Sequence, residues 1–160
     1  DVLAYSETSH KMDRSVQLFF SDIWRSAMAT TAKDIMTTEL ILGSAEMTVE
    51  DAIKLLVNNR ITGMPVVDKT HKLIGVVSEF DIIKSVHPDE DARPIDLAQV
   101  IRFSQKVTTV AEDATLSEIL TLFVEKKVRR LPVLAKSGAL VGIITRRDIM
   151  RVLFYRSKTL

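Results

Sequence analysis

The sequence predicts a mixed α/β fold (α+β) made of two copies of one β-α-β-β-α unit, preceded by a helical extension. Three observations predict it. GMPVVD at 63–68 recurs as RLPVLA at 130–135, an offset of 67. GVVSEFDII at 75–83 recurs as GIITRRDIM at 142–150 at the same offset. With no gap, that register also pairs Thr48 with Thr115, Leu55 with Leu122, Leu73 with Leu140 and Gly75 with Gly142. Chance does not hold one register through so many positions, and self-similarity at a fixed period marks a duplicated structural unit.

Each unit opens on a short apolar run, residues 40–42 or 107–110, read as its first strand. An amphipathic helix follows, because Val49, Ala52, Ile53, Leu56 and Val57 fall at i, i+3, i+4, i+7 and i+8. Leu116, Ile119, Leu120, Phe123 and Val124 repeat that spacing, which lines up one apolar stripe. Thr48-x-x-Asp51 and Thr115-x-x-Glu118 are the capping boxes that start these helices. Two β-rich runs come next, 65–67 and 73–77 in the first unit and 132–134 and 140–144 in the second, joined by polar turns at 68–72 and 136–138. A second helix begins at Glu79 or Arg146 and carries the apolar pair Ile82 and Ile83, or Ile149 and Met150. Gly75 and Gly142 are expected to permit close backbone approach or strand twist rather than ligand contact.

A unit of roughly 55 residues has too little core to stand alone, so the pair is the expected folding unit. The organisation predicted is an extension over 1–32, a first repeat over 33–86, a polar connector over 87–99, a second repeat over 100–155 and a tail over 156–160. Pro88, Pro94 and a charge cluster mark the connector. Within the extension, Val16, Phe19, Phe20, Ile23, Trp24 and Ala27 predict an amphipathic helix over 14–28, packed on the module or on a second copy. A membrane-surface helix is the other option, but its polar face lacks the required Lys and Arg.

At 160 residues, 46% hydrophobic and 27% charged, the chain has a globular composition. Cysteine is absent, which excludes disulfides, thiolate catalysis and Cys-bound zinc. His10, His71 and His87 are scattered without metal-ligand spacing, so no metal is expected. No run approaches the roughly 20 apolar residues that span a bilayer, and no secretory signal opens the chain, so a cytoplasmic location without membrane contact is expected. The chain begins at Asp1 rather than Met, as a trimmed protein or a piece of a longer one would. Charge is unevenly spread: residues 1–86 carry nine Lys and Arg against twelve Asp and Glu, residues 87–160 thirteen against nine. The second half is the expected side for an anion. The excess is too small, and too poor in aromatics, to predict nucleic-acid binding.

Two copies of an apolar strand, an amphipathic helix, an h-P-V strand and a G-h-h-[ST]-x-x-D turn into a closing helix resemble the cystathionine-β-synthase (CBS) domain pair, or Bateman module. The likeness covers residues 33–155, with KDIMT at 33–37 as the family's lead-in. The second lead-in, IRFS at 101–104, departs from it, although Ser104 keeps the place of Thr37. NNRITGMPVVD and KVRRLPV look most like small stand-alone two-repeat proteins of bacteria and plastids.

The resemblance implies pseudo-twofold symmetry, a disc-like homodimer and a regulatory module. Such pairs bind AMP, ADP, ATP or S-adenosylmethionine in clefts between the repeats and signal to an attached or partnering protein. In the family's arrangement the [ST]-x-x-D of one repeat faces the lead-in and h-P-V strand of the other. One site would then combine Ser78 and Asp81 with Ser104, Thr108, Val128, Arg129 and Arg130. The other would combine Thr145, Arg147 and Asp148 with Thr37, Ile41, Ile61 and Thr62.

These residue types suit a nucleotide. A carboxylate accepts ribose hydroxyls, a hydroxyl and a helix N-terminus hold phosphate, and apolar strand residues sandwich adenine. Ser78-x-x-Asp81 and Thr145-x-x-Asp148 are also capping boxes in their own right, and one residue can do both jobs. Arg129 and Arg130 follow an apolar strand start, so at least one is expected in the inter-repeat cleft, where a guanidinium fork matches phosphate. That makes the Ser78–Asp81 site the more basic one, while the other relies on Arg146 or Arg147. The alternatives left open are a structural dimerisation module with empty clefts, part of a larger protein or complex, and an enzyme. The last is disfavoured, since the chain offers no nucleophile-base pair, metal cluster or P-loop, and no catalytic residue is expected.

Overall fold

The computed structural model describes residues 29–87 and 96–156, apart from the Arg156 side chain. The extension helix expected over 14–28, the middle of the connector and the end of the tail lie outside the described residues.

In chain order the elements are α1 (Ala32–Ile35), β1 (Gly43–Ser44), α2 (Val49–Asn58), β2 (Gly63–Val67), β3 (Leu73–Ser78), α3 (Glu79–Val86), β4 (Val110–Ala111), α4 (Leu116–Glu125), β5 (Arg130–Leu134), β6 (Leu140–Thr145) and α5 (Arg146–Arg156). They form two three-stranded sheets, β1-β2-β3 and β4-β5-β6. In each, the first strand runs parallel to the second and the second antiparallel to the third. Their registers match across the 67-residue offset: Gly63 opposes Ser78 as Arg130 opposes Thr145, and Val66 opposes Gly75 as Val133 opposes Gly142.

The first strands are shorter than the apolar runs predicted. β1 begins one residue past the run at 40–42, and β4 takes in only Val110 of 107–110. Ile41 packs against the first core instead of joining the ladder.

The helices follow their caps. Thr48 Oγ accepts the Asp51 amide at 3.1 Å and Thr115 Oγ accepts the Glu118 amide at 3.3 Å, while each carboxylate receives its threonine's N–H. Val49, Ala52 and Leu56 are buried, as are Leu116, Ile119 and Phe123. The last members of both predicted stripes are not. Val57 is 67% exposed and Val124 73%. At 100° per residue Val57 lies about 80° around the helix from Val49, off the edge of the face its own sheet covers. Both helices run into a left-handed residue, Arg60 (φ 53°) and Lys127 (φ 52°), again 67 apart.

The two cores are completed crosswise. Ala32 of the first lead-in sits in the second repeat's core with Ile119, Leu131 and Ile144, and Ile35 and Met36 pack against it. Ile101 sits in the first repeat's core with Leu56, Met64 and Val77, and Phe103 packs against it. Backbone bonds fix the exchange. Thr37 and Ile143 trade N–H···O=C bonds at 2.9 and 3.0 Å, and Ser104 and Val76 do the same. The glycines expected to allow close approach sit at these crossings: a Cβ at Gly142 would collide with Met36, and one at Gly75 with the Phe103 ring.

Candidate functional site

Where β6 turns into α5, the Thr145 N–H and hydroxyl donate to Asp148 Oδ2 at 2.7 and 2.6 Å. Asp148 is only 8% exposed, and its Oδ1 lies 3.5 Å from Arg151 Nη1. One carboxylate oxygen therefore starts the helix while the other faces Arg151, which lines the same cleft. Ser78 and Asp81 repeat the arrangement at the start of α3, with bonds of 2.8 and 2.5 Å to Asp81 Oδ2.

A cleft of about 470 Å³ opens beside Asp148 and is walled by both repeats. It contains every residue expected at the second site: Thr37, Ile41, Ile61 and Thr62 from one repeat, Thr145, Arg147 and Asp148 from the other. Ser78, Asp81, Ser104, Thr108 and Val128 do not line it. On the symmetry-related side the Ser104–Val76 bridge takes the place of Thr37–Ile143. Thr108 is half-buried, Val128 packs against the second repeat's core, and Ser104 Oγ donates to the Lys106 carbonyl at 3.4 Å.

Arg129 and Arg130 depart from their expected placing. Both line the Thr145–Asp148 cleft, which is therefore the arginine-rich one. The physical reason is Gly63, the counterpart of Arg130 in the first repeat. Its missing side chain leaves space that the Arg130 guanidinium fills, and a Cβ there would collide with it. Arg130 Nη2 donates to the Thr62 carbonyl at 2.8 Å and to Thr62 Oγ at 3.0 Å, and Nη1 to the Val77 carbonyl at 3.2 Å. Burial and the neighbouring Arg129 charge push its pKa below the usual guanidinium value, while Asp81 and Glu79 oppose the shift.

Sequence reasoning missed Arg60, Glu39, Leu40 and Arg151 in this cleft. Arg151 carried a signal, standing three residues after Asp148 on the same helix face. Arg60 carried less, because its reach depends on the left-handed turn into Ile61. Arg146, one of the two cations expected here, lines the cleft but its guanidinium closes back on its own repeat. Its Nε and Nη2 donate to the Val128 carbonyl at 3.0 and 2.7 Å. Among the described residues no group of three or more His, Cys, Asp or Glu could hold a metal ion, and no helix is long and apolar enough to cross a membrane.

The CBS domain family profile matches residues 32–88 and 98–155. The chain belongs to the CBS domain family. Among curated CBS relatives, the CBS domain-containing protein CBSX1 of the Arabidopsis thaliana chloroplast is 34% identical over 129 residues, 65% of this chain and 55% of that protein. The chain thus spans about half the length of that relative. Two solved CBS pairs superimpose well. CBSX2 in complex with AMP, a protein of Arabidopsis thaliana, gives a TM-score of 0.64 at 29% identity, covering 79% of this chain and 98% of that one. The CBS domain pair of protein MJ0100, in complex with 5′-methylthioadenosine and S-adenosyl-L-methionine, gives 0.68 at 25% identity, covering 80% and 98%.

Proposed function

We propose that this CBS pair is a regulatory module that binds an adenosine-containing nucleotide at the seam of its repeats and passes the bound state on through the geometry of a homodimer. The observation that carries the reading is the convergence, in one cleft walled by both repeats, of a buried carboxylate, an apolar wall and guanidinium groups. Asp148 Oδ1 accepts the ribose hydroxyls while Oδ2 keeps the helix cap. Ile41 and Ile61 flank the adenine, Thr37 and Thr62 supply polar edges, and Arg147 and Arg129 meet phosphate oxygens. Ser78, Asp81, Ser104, Thr108 and Val128 form the second, symmetry-related seat. AMP, ADP, ATP and S-adenosylmethionine are the candidate ligands, and the adenosine compounds held by CBSX2 and the MJ0100 pair support that class. The reading contains no catalytic step.

A ligand bridging the repeats fixes their relative angle, and its differential affinity for two dimer geometries carries the signal to a partner protein. Calorimetry of AMP with the wild type and Asp148→Ala tests the binding. Submillimolar binding that Asp148→Ala abolishes is expected; an unchanged affinity in the variant would contradict it.

A second reading, a ligand-free dimerisation module of a larger protein or complex, is favoured by the exposed Val57, Val124, Phe80 and Ile83 on the outer helices. Under it, Asp81→Ala and Asp148→Ala cost only cap stability, about 0.5–2 kcal/mol each, and AMP leaves the melting temperature unmoved.

A further inference from the structure

The two seams differ in charge because the repeats diverge where their closing helices begin. Arg146, Arg147 and Arg151 of α5 stand where α3 has Glu79, Phe80 and Lys84. Around Asp148 the arginines are also largely unneutralised. Arg130 and Arg146 donate to carbonyl or hydroxyl oxygens, which satisfy their N–H groups and leave their charge intact. Arg60, Arg129 and Arg147 have no acidic partner among the described residues, and only Arg151 is paired, at 3.5 Å to Asp148. Against these stand Glu39 and Asp148 in the lining, while Asp81 and Glu79 also act on Arg130 from outside it. A concave site holding such an excess favours ligands in proportion to their negative charge and disfavours a cationic sulfonium.

We infer that the Thr145–Asp148 cleft is selective for nucleoside polyphosphates, preferring ATP and ADP to AMP and rejecting S-adenosylmethionine, and that the Ser78–Asp81 seam lacks this preference. The inference rests on the nucleotide-binding reading above and narrows it to a ligand class. Arg147 and Arg129 are exposed and, among the described residues, make no side-chain bond that holds the fold, so they are the side chains placed to close on the additional phosphates.

The test is calorimetric titration of the full chain with adenosine, AMP, ADP, ATP and S-adenosylmethionine, with EDTA present, at two salt concentrations. At low salt ATP is expected to bind at least about tenfold more tightly than AMP, the scale of one added charge-assisted contact. The ratio should shrink at high salt as the cleft charge is screened. In Arg129→Gln/Arg147→Gln both nucleotides should bind more weakly, ATP losing the more, so that their affinities come within about twofold of each other, whereas Lys84→Gln on α3 should leave the preference intact. AMP and ATP binding equally to the wild type, S-adenosylmethionine binding more tightly than ATP, or loss of the preference in Lys84→Gln would each overturn the inference while the nucleotide-binding reading stands. Absence of binding by all five compounds would remove that reading and the inference with it.

Discussion

Gly63 and Arg130 occupy the same position of the two repeats, 67 residues apart, and the side chain of one fills the space the other leaves empty. Arg130 thereby ties β5 to the Thr62 and Val77 carbonyls of the other repeat, so an exact duplication with arginine at both positions could not close in this way.

Gly63→Ala is expected to destabilise the chain by about 1–3 kcal/mol, because the new methyl collides with a buried guanidinium. In an Arg130→Met background the same change should cost at least about 1 kcal/mol less, a coupling expected of residues in direct contact. Urea denaturation of the four proteins of the cycle measures it. Additive costs would show that the two positions do not compete for space.

The crossed lead-ins predict an effect that crosses the repeat boundary. Phe103→Ala should cost about 2–3 kcal/mol, below the range for a fully buried Phe because the ring is only partly covered. The loss should appear in the first repeat, as faster amide hydrogen exchange at Val76 and Val77 in β3, with β6 little changed. Loosening confined to the second repeat would contradict the exchange.

Val57 and Val124 predict a dimer contact. Replacing both with Glu should convert a dimer to a monomer in sedimentation while the circular dichroism spectrum is retained, since neither side chain supports its own core. A dimer that persists would place the interface elsewhere.

Stability should also fall in acid. Hydrogen bonds from Thr48 lower the Asp51 pKa and those from Thr115 lower the Glu118 pKa, while Thr70 and the Lys72 amide do the same for Asp68. A carboxylate whose folded pKa is depressed stabilises the fold above its unfolded pKa, near 4, and that contribution is lost as pH falls through the folded value. The melting temperature should therefore be flat with respect to these groups above about pH 5 and decline below about pH 4. Thr48→Ala/Thr115→Ala should soften the decline; an identical acid limb would remove the caps as its source.

Much of this was legible in the residues because the signals are local. Thr48 and Asp51, or Thr115 and Glu118, meet within one helical turn, so spacing alone reveals the cap. Gly75 and Gly142 announced a close approach, though not what approaches. The crossing of the lead-ins was legible only through the family resemblance, for a reason intrinsic to duplication: Thr37 would meet similar strand residues in either repeat, Val76 or Ile143, and near-identical partners give no local preference. That Arg130 lines the Thr145–Asp148 cleft as well as standing in the field of Asp81 was not legible, because its direction depends on an absent side chain 67 residues away. Val57 and Val124 obey the helical period of core residues, and periodicity reports an apolar face without reporting how far the core extends beneath it.

A crystal structure of the chain grown with AMP decides whether the seam between the repeats seats a nucleotide by its ribose. Density is expected at a seam, with ribose hydroxyls within hydrogen-bond distance of Asp148 Oδ1 or its Asp81 counterpart and the base against Ile41 and Ile61 or against Thr108 and Val128. AMP bound away from both carboxylates, or both seams closed by protein side chains at saturating AMP, would contradict it.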